Sequence, residues 1–337
     1  MTNPDARARV VLLMDTNQQR RVLDAATRDL LASFADVVRT TQNRPLVEEE
    51  VAELLDGADA CLTSWGVPAL TNAALAKADR LKIVCHAAGS VKPVVTDALW
   101  ERGIRVTSGA AAIAIDVAQT AVALMVISVK RIVPYSRLIA NGGWSERPYG
   151  LPQEIHGKTI GIIGASHVGR NVIRLLKNFD VGTILVADPY LSDTAASELG
   201  VRHVTLPDLL AQADVVSCHA PSTAATRHLL NAENLRLLKN GAILINTSRG
   251  ALIDEAALIA QLRTGRIYAC LDVFDPEPPS PDSELRRLPN VLLTPHLAGC
   301  VSDCTRCGRF TVEDLQRFLT GESPRYEVTK DMLDRVG

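Results

Sequence analysis

Aromatic side chains and net charge are both scarce in this chain of 337 residues. Aromatic residues make up 4% and the formal net charge is −2. So small a charge gives no electrostatic reason to expect nucleic acid or an anionic membrane as a partner, and any charged substrate must be met by local charge. Uninterrupted apolar runs are also short. None reaches the roughly 18 residues of a membrane span, and Met1-Thr-Asn-Pro-Asp-Ala-Arg7 lacks the apolar core of a signal peptide, so a cytoplasmic location is expected. The seven cysteines are an odd number without the regular spacing of a small disulfide framework, which fits a reducing compartment.

What is abundant is small aliphatic residue. Hydrophobic content of 47% with so few aromatics means a core of Ala, Val, Leu and Ile, as parallel sheets covered by helices require. The length suits two domains of about 150 residues each.

The most informative stretch is Lys158-Thr-Ile-Gly-Ile-Ile-Gly164-Ala-Ser-His-Val-Gly169. A β-branched run enters glycines and then a helical apolar pattern, and some twenty residues on Thr183-Ile-Leu-Val-Ala-Asp188 forms a second strand ending in a carboxylate. Gly164 permits a tight turn, the amides of Ser166, His167 and Val168 can meet a pyrophosphate at a helix N-terminus, and Gly169 lets that helix pack close. Asp188 can accept hydrogen bonds from an adenosine ribose. NAD is therefore the expected cofactor. Ser166 stands where a middle glycine is usual, so its Cβ crowds the pyrophosphate unless the loop moves out or the hydroxyl becomes a donor.

Before this stretch, Val10–Met14, Val37–Thr41, Ala58–Thr63, Leu81–Cys85 and Ile104–Thr107 read as strands alternating with helical segments such as Leu46–Leu55 and Val94–Arg102. A small doubly wound sheet follows, with Ala88, Gly89 and Ser90 at a strand end as candidate substrate-binding residues. His86 beside them reads as a hydrogen-bonded histidine rather than a catalyst. An apolar helix is expected over Ile113–Val133, buried between domains or subunits. Pro134, Gly142, Gly143, Pro148, Gly150 and Pro152 then suggest a long irregular connection, and a partner subunit that packs on it.

After Asp188, apolar strands end at His219-Ala-Pro221, at Thr247-Ser-Arg249, at Asp272 and at Thr294-Pro-His296. In an open α/β sheet such ends line one crevice. They supply the further cofactor candidates His219, Pro221, Thr226, Thr247 and Asp272, and a reaction centre of Arg249, Glu277 and His296. Hydride transfer at a carbon bearing oxygen needs a proton donor or acceptor, which His296 can be near neutral pH. Glu277 would fix its tautomer, and the planar fork of Arg249 suits a substrate carboxylate or its adjacent carbonyl.

From about Leu81 to Val328 the chain resembles the D-isomer-specific 2-hydroxyacid dehydrogenases. The resemblance is carried by Gly157–Gly164, Leu238–Glu255, Leu271-Asp-Val-Phe-Asp-Pro-Glu-Pro278 and Asn290-Val-Leu-Leu-Thr-Pro-His296. It implies a Rossmann-type NAD domain (109–297) and a smaller flavodoxin-like substrate domain (1–108 with 298–337), both doubly wound parallel sheets with a closing cleft between them. It also implies His296 as acid/base, Glu277 as its partner, Arg249 as substrate anchor and Asp272 near the nicotinamide. The expected reaction interconverts a 2-keto acid and a D-2-hydroxy acid, in a homodimer. The alternative is an NAD(H)-sensing protein on the same scaffold, similar to the C-terminal-binding corepressors. A formate-type activity is disfavoured, because those enzymes pair the histidine with glutamine.

The departures fall on the substrate side. The usual Gly-Ala-Gly-Val-Asp stands as Ala87-Ala-Gly-Ser-Val91, followed by Lys92-Pro93. The usual Asn-x-Pro-Gly-x-Asn stands as Ser108–Ile113, and Val-Ala-Glu as Val117-Ala-Gln119. The substrate's identity is accordingly open. Cys300, Cys304 and Cys307 would share one face if Val301 onward were helical, and a packing face is expected there rather than a metal site.

Overall fold

The computed structural model describes residues 7–144 and 151–335. Two compact units emerge: the chain up to Ile113 together with Cys300 onward, and Ala114–Gly299. The first contains β1 (Ala8–Leu13), α1 (Thr16–Val22), α2 (Ala25–Phe34), β2 (Ala35–Arg39), α3 (Glu48–Leu54), β3 (Ala60–Thr63), β4 (Ile83–His86), α4 (Asp97–Glu101) and β5 (Arg105–Ser108). Helix α5 (Ala110–Val129) leads into the second, which contains α6 (Ile132–Ala140), β6 (Ile160–Ile163), α7 (His167–Leu176), β7 (Ile184–Ala187), α8 (Asp193–Leu199), β8 (Arg202–His203), α9 (Leu206–Gln212) and β9 (Val215–Cys218). It continues through α10 (Ala232–Leu235), β10 (Ile243–Asn246), α11 (Glu255–Arg263), β11 (Tyr268–Leu271) and β12 (Val291–Leu293). The chain then re-enters the first unit as α12 (Thr305–Leu319) and β13 (Glu327–Val328).

The first sheet has the order β13-β5-β4-β3-β1-β2, parallel except for β13. Apart from that added edge strand this is the flavodoxin order, with its switch point between β1 and β3. The second sheet, β12-β11-β10-β9-β6-β7-β8, is parallel throughout and switches between β6 and β9. Strands β3, β4, β6, β7, β9 and β10 are buried at every residue, which is why they read as unbroken apolar runs rather than alternating ones. Each sheet has an apolar core on both faces, as double winding demands.

The long helix differs from its sequence reading. It ends at Val129, and Arg131 takes a left-handed conformation (φ 55°) before α6 begins. Pro134 accounts for the break: it has no N–H to give the Lys130 carbonyl and its ring would clash there, but it is tolerated in the first turn of a new helix. The Arg131 guanidinium lies over the Tyr268 ring, 3.3 Å from its centroid, which holds the turn in place. Pro134 is therefore helical rather than part of an irregular connection, and Pro148 and Gly150 lie outside the described residues. Ala118, Ala121, Val122 and Met125 pack into the second unit's own core. Among the described residues α5 is nevertheless long and apolar enough, by length and composition, to cross a membrane, and half of its most apolar stretch is buried. A count of uninterrupted apolar residues passes over it because Asp116 and Gln119 break the run.

The cysteine expectations also need correction. Cys300 and Cys304 are joined by a disulfide, with Cα atoms 4.9 Å apart, so the chain is not wholly one of free thiols. Cys300 is left-handed (φ 59°) and Cys304 is the residue before α12, so only Cys307 lies on the helix and the three share no helical face. All three are buried in the first unit's core. No group of three or more His, Cys, Asp or Glu among the described residues is placed to hold a metal.

Candidate active site

The turn after β6 is built by exclusion. Gly164 is left-handed (φ +92°), and a Cβ there would meet the Ala220 nitrogen at 2.8 Å. A Cβ on Gly169 would lie 2.0 Å from the Gly164 carbonyl oxygen, so only glycine lets α7 start this close to the turn. Ser166 precedes α7 but does not cap it; its hydroxyl donates instead to the His219 carbonyl at 3.0 Å. The Ser166 hydroxyl is thus turned toward the end of β9. The first turn of α7, with His167, Val168 and Gly169, is thus not closed by its own capping side chain, as an anion-binding N-terminus requires. Desolvation, with help from Arg170, holds the His167 imidazole below its ordinary pKa.

Asp188 ends β7 half-buried. Its carboxylate accepts from the Ala165 amide at 2.7 Å and the Tyr190 amide at 2.8 Å, one on each oxygen. Each oxygen keeps lone-pair capacity, so the group braces the turn and can still receive ribose hydroxyls.

Two buried polar atoms at neighbouring strand ends have no protein partner among the described residues: His219 Nδ1 after β9 and Thr247 Oγ1 after β10. His219 Nε2 lies 2.9 Å from Ser217 Oγ, and burial pushes the ring down to about 3, so it is neutral. Orphaned groups of this kind call for a ligand or water, which fits a dinucleotide along this edge. Thr226 folds the loop after β9 by donating to the Pro221 carbonyl at 2.6 Å.

Asp272, fully buried after β11, is the knot of the next loop. Its carboxylate accepts from Thr294 Oγ1 at 2.6 Å and from the amides of Leu297 and Ala298 at 2.9 Å each, while its carbonyl accepts the His296 amide at 2.9 Å. These bonds hold His296 in a left-handed conformation (φ 51°) that costs about 1–3 kcal/mol in a residue with a Cβ. The sequence placed Asp272 near a nicotinamide; the geometry shows its side chain committed to the histidine loop, a role that its position after a strand did not signal.

His296 Nδ1 lies 3.0 Å from both carboxylate oxygens of Glu277. Both side chains are exposed, and an exposed pair adds about 1 kcal/mol or less to stability, so the pairing does little for the fold. What it does is chemical. A carboxylate on Nδ1 leaves Nε2 as the nitrogen that gives or takes a proton. Arg249 follows β10, where a Cβ on Gly250 would lie 1.9 Å from the Phe274 carbonyl carbon, so the loops after β10 and β11 are in backbone contact. Its guanidinium donates to the Ser248 carbonyl at 2.7 Å. Desolvation lowers its pKa, and Glu277 is the charge that opposes the shift.

In the first unit, Ala88, Gly89 and Ser90 follow β4. Ser64 Oγ donates to the Ala87 carbonyl at 3.2 Å and Ser108 Oγ to the Gly89 carbonyl at 2.7 Å, bracing contacts that the sequence did not reveal. The loop's carbonyls are thus engaged, whereas the amides of Ala88, Gly89 and Ser90 have no acceptor among the described residues.

Residues 122–298 match the NAD-binding domain of the D-isomer specific 2-hydroxyacid dehydrogenases. The D-3-phosphoglycerate dehydrogenase of Methanocaldococcus jannaschii is 32% identical over 305 residues, covering 89% of this chain and 57% of that protein. With the corresponding protein of Archaeoglobus fulgidus the share is 46%, so the chain spans about half the length of these relatives. The glyoxylate reductase of Thermofilum pendens is 32% identical over 321 residues, which cover 93% of this chain and 94% of that one. The apo-structure of D-lactate dehydrogenase from Escherichia coli superposes with a TM-score of 0.69 at 28% identity, covering 96% of this chain and all of the other. The chain belongs to the D-isomer specific 2-hydroxyacid dehydrogenase family, and its second unit carries that family's NAD-binding domain.

Proposed function

We propose that the protein interconverts a 2-keto acid and a D-2-hydroxy acid. The observation that carries this reading is the contact of His296 Nδ1 with both oxygens of Glu277 in a unit that carries the family's NAD-binding domain. NAD(H), when bound, supplies or accepts the hydride. In the reducing direction the His296 imidazolium gives its Nε2 proton to the substrate oxygen as that oxygen gains charge, and Glu277 stabilises the imidazolium beforehand. In the oxidising direction neutral His296 takes the hydroxyl proton. Arg249 anchors the substrate carboxylate or its adjacent carbonyl, and in the first unit Ala88, Gly89 and Ser90 are assigned to substrate binding. Gly164, Ser166, His167, Val168, Gly169 and Asp188 hold the adenosine and pyrophosphate end, while His219, Pro221, Thr226 and Thr247 line the remainder. We assign residues 1–108 with 298–337 to substrate binding and 109–297 to the cofactor.

A homodimer in the cytoplasm completes the proposal. Ile132 and Ile139 on α6 and Trp144 after it are exposed, a stretch of apolar surface that a second copy can cover. The test is NADH oxidation with a panel of 2-keto acids, glyoxylate, pyruvate and hydroxypyruvate among them. Turnover with at least one is expected. Tight NADH binding without turnover of any would favour the nucleotide-sensing alternative.

A further inference from the structure

A carboxylate can read a ribose only while the backbone that carries it keeps its place. Asp188 follows β7, and the chain turns through residues 189–192 before α8 begins at Asp193. Most contacts that shape this turn are made within it. The Asp188 carbonyl accepts the Leu191 amide at 3.2 Å, its Oδ1 accepts the Tyr190 amide at 2.8 Å, and Ser192 caps α8 by accepting from the Ala195 amide at 3.2 Å. Such bonds fold the loop but can move with it. From outside, the Ala165 amide ties Oδ2, and a single ring ties the backbone. That ring is His203 on β8, which runs parallel to β7 with His203 opposite Val186. Its Nε2 lies 3.1 Å from the Asp188 carbonyl oxygen and its Nδ1 3.3 Å from Oδ1 of Asp193. A carbonyl and a carboxylate only accept, so the ring makes both hydrogen bonds when both of its nitrogens carry a proton, and it then pairs with Asp193 in charge as well. Asp193 is exposed, so that pair does little for the stability of the fold.

We propose that His203 is a positioning residue for the cofactor: by holding the Asp188 carbonyl and the Asp193 carboxylate together, it staples both ends of the loop 188–193, so that the Asp188 carboxylate stays set for the ribose hydroxyls of NAD. This rests on the reading of Asp188 as the residue that receives the ribose. A loosened loop lets the carboxylate swing aside, which weakens NADH but takes nothing from NADPH, whose 2′-phosphate that carboxylate repels. A histidine that merely supported the edge of the sheet would weaken both cofactors alike, and one that met the 2′-phosphate directly would weaken NADPH more. The informative quantity is therefore how a loss divides between the two cofactors.

The experiment titrates the unmodified full chain, His203→Ala, His203→Gln, Asp188→Ser and the double variant His203→Ala/Asp188→Ser with NADH and with NADPH, followed by nicotinamide fluorescence, and needs no substrate. His203 is exposed, so its variants are expected to fold. His203→Ala should raise the NADH Kd about fivefold, the worth of one net hydrogen bond, and leave the NADPH Kd within about twofold. His203→Gln keeps an N–H donor for the Asp188 carbonyl and should recover much of the loss. The double variant should bind NADH within about twofold of Asp188→Ser alone, because no carboxylate is left to position. An unchanged NADH Kd in His203→Ala, an equal or larger loss for NADPH, or a fully additive loss in the double variant would overturn the proposal, while a weakened Asp188→Ser would leave the ribose reading standing. An Asp188→Ser variant that binds NADH as tightly as the unmodified chain would overturn both.

Discussion

The carbonyl of Asp272 accepts the backbone N–H of His296 at 2.9 Å, and the carboxylate of the same aspartate takes the next two amides. One buried residue thus fixes the backbone on both sides of the histidine. Asp272→Asn tests this arrangement, since an amide is nearly the same size but presents an N–H where the loop presents N–H groups of its own. At least one donor is then left facing a donor, at a cost of about 2 kcal/mol or more. Urea denaturation should show that loss. Turnover should fall at least about tenfold, because a displaced His296 no longer meets the substrate oxygen in line. A variant of normal stability and activity would show that Asp272 does not set the loop.

His296→Ala should lower turnover at least about a hundredfold and leave NADH binding nearly intact, since the role proposed for the ring is to move a proton rather than to hold the cofactor. Fluorescence titration with NADH separates the two effects. Retained turnover would remove His296 from the mechanism.

For Arg249 the informative change is to lysine, which keeps the charge and loses the paired fork. The loss should appear in kcat/KM for the keto acid, with cofactor affinity barely moved. A loss confined to NADH binding would reassign Arg249 to the cofactor.

Stability should depend on pH mainly through His86 and His219, with His167, also held low by desolvation, adding in the same direction. Burial lowers the first two, to about 4 and about 3, from an ordinary value near 6.5. Above pH 6.5 neither state is protonated at these rings and their contribution is whole. As pH falls below 6.5 the unfolded chain binds two protons that the folded one refuses, so stability drops by up to about 1.4 kcal/mol per pH unit for each ring, until the folded values are reached. Between pH 6.5 and 5 the carboxylates contribute little, so the urea midpoint should fall there, and His86→Gln should reduce the slope. A midpoint constant over that interval would mean that the rings take up protons without unfolding.

Much of this was legible because the strands are buried on both faces: Ile160–Ile163 and Ile243–Asn246 announce themselves as apolar runs, and the polar residues after them mark the ligand edge. Less legible was whatever depends on a partner distant in sequence. The break before α6 follows from Pro134 and is fixed by Arg131 over Tyr268, more than a hundred residues away. Asp272 reads as one more polar strand end until Thr294, Leu297 and Ala298 are seen to claim its oxygens. Nor does a sequence show that the Ser166 hydroxyl has the His219 carbonyl to turn to.

Cofactor choice tests the placement of Asp188. Its carboxylate can accept from both ribose hydroxyls of NAD, but it would face the 2′-phosphate of NADP with like charge and no donor. Pro189-Tyr190-Leu191-Ser192-Asp193 supplies no Arg or Lys to compensate. NADH should therefore support a much higher kcat/KM than NADPH. Asp188→Ser should weaken NADH and partly relieve the exclusion of NADPH, because it removes the repulsion without building a phosphate site. The structure adds a second effect: Asp188 also receives the Ala165 and Tyr190 amides, so serine loosens the pyrophosphate turn and lowers the ceiling for either cofactor. The change should consequently appear as a narrowed ratio between cofactors rather than as a gain in NADPH activity to the native NADH level. Both proteins are to be measured with both cofactors at one saturating keto acid concentration. Equal or better use of NADPH by the unmodified protein would mean that Asp188 spends its carboxylate wholly on the turn and does not read the ribose.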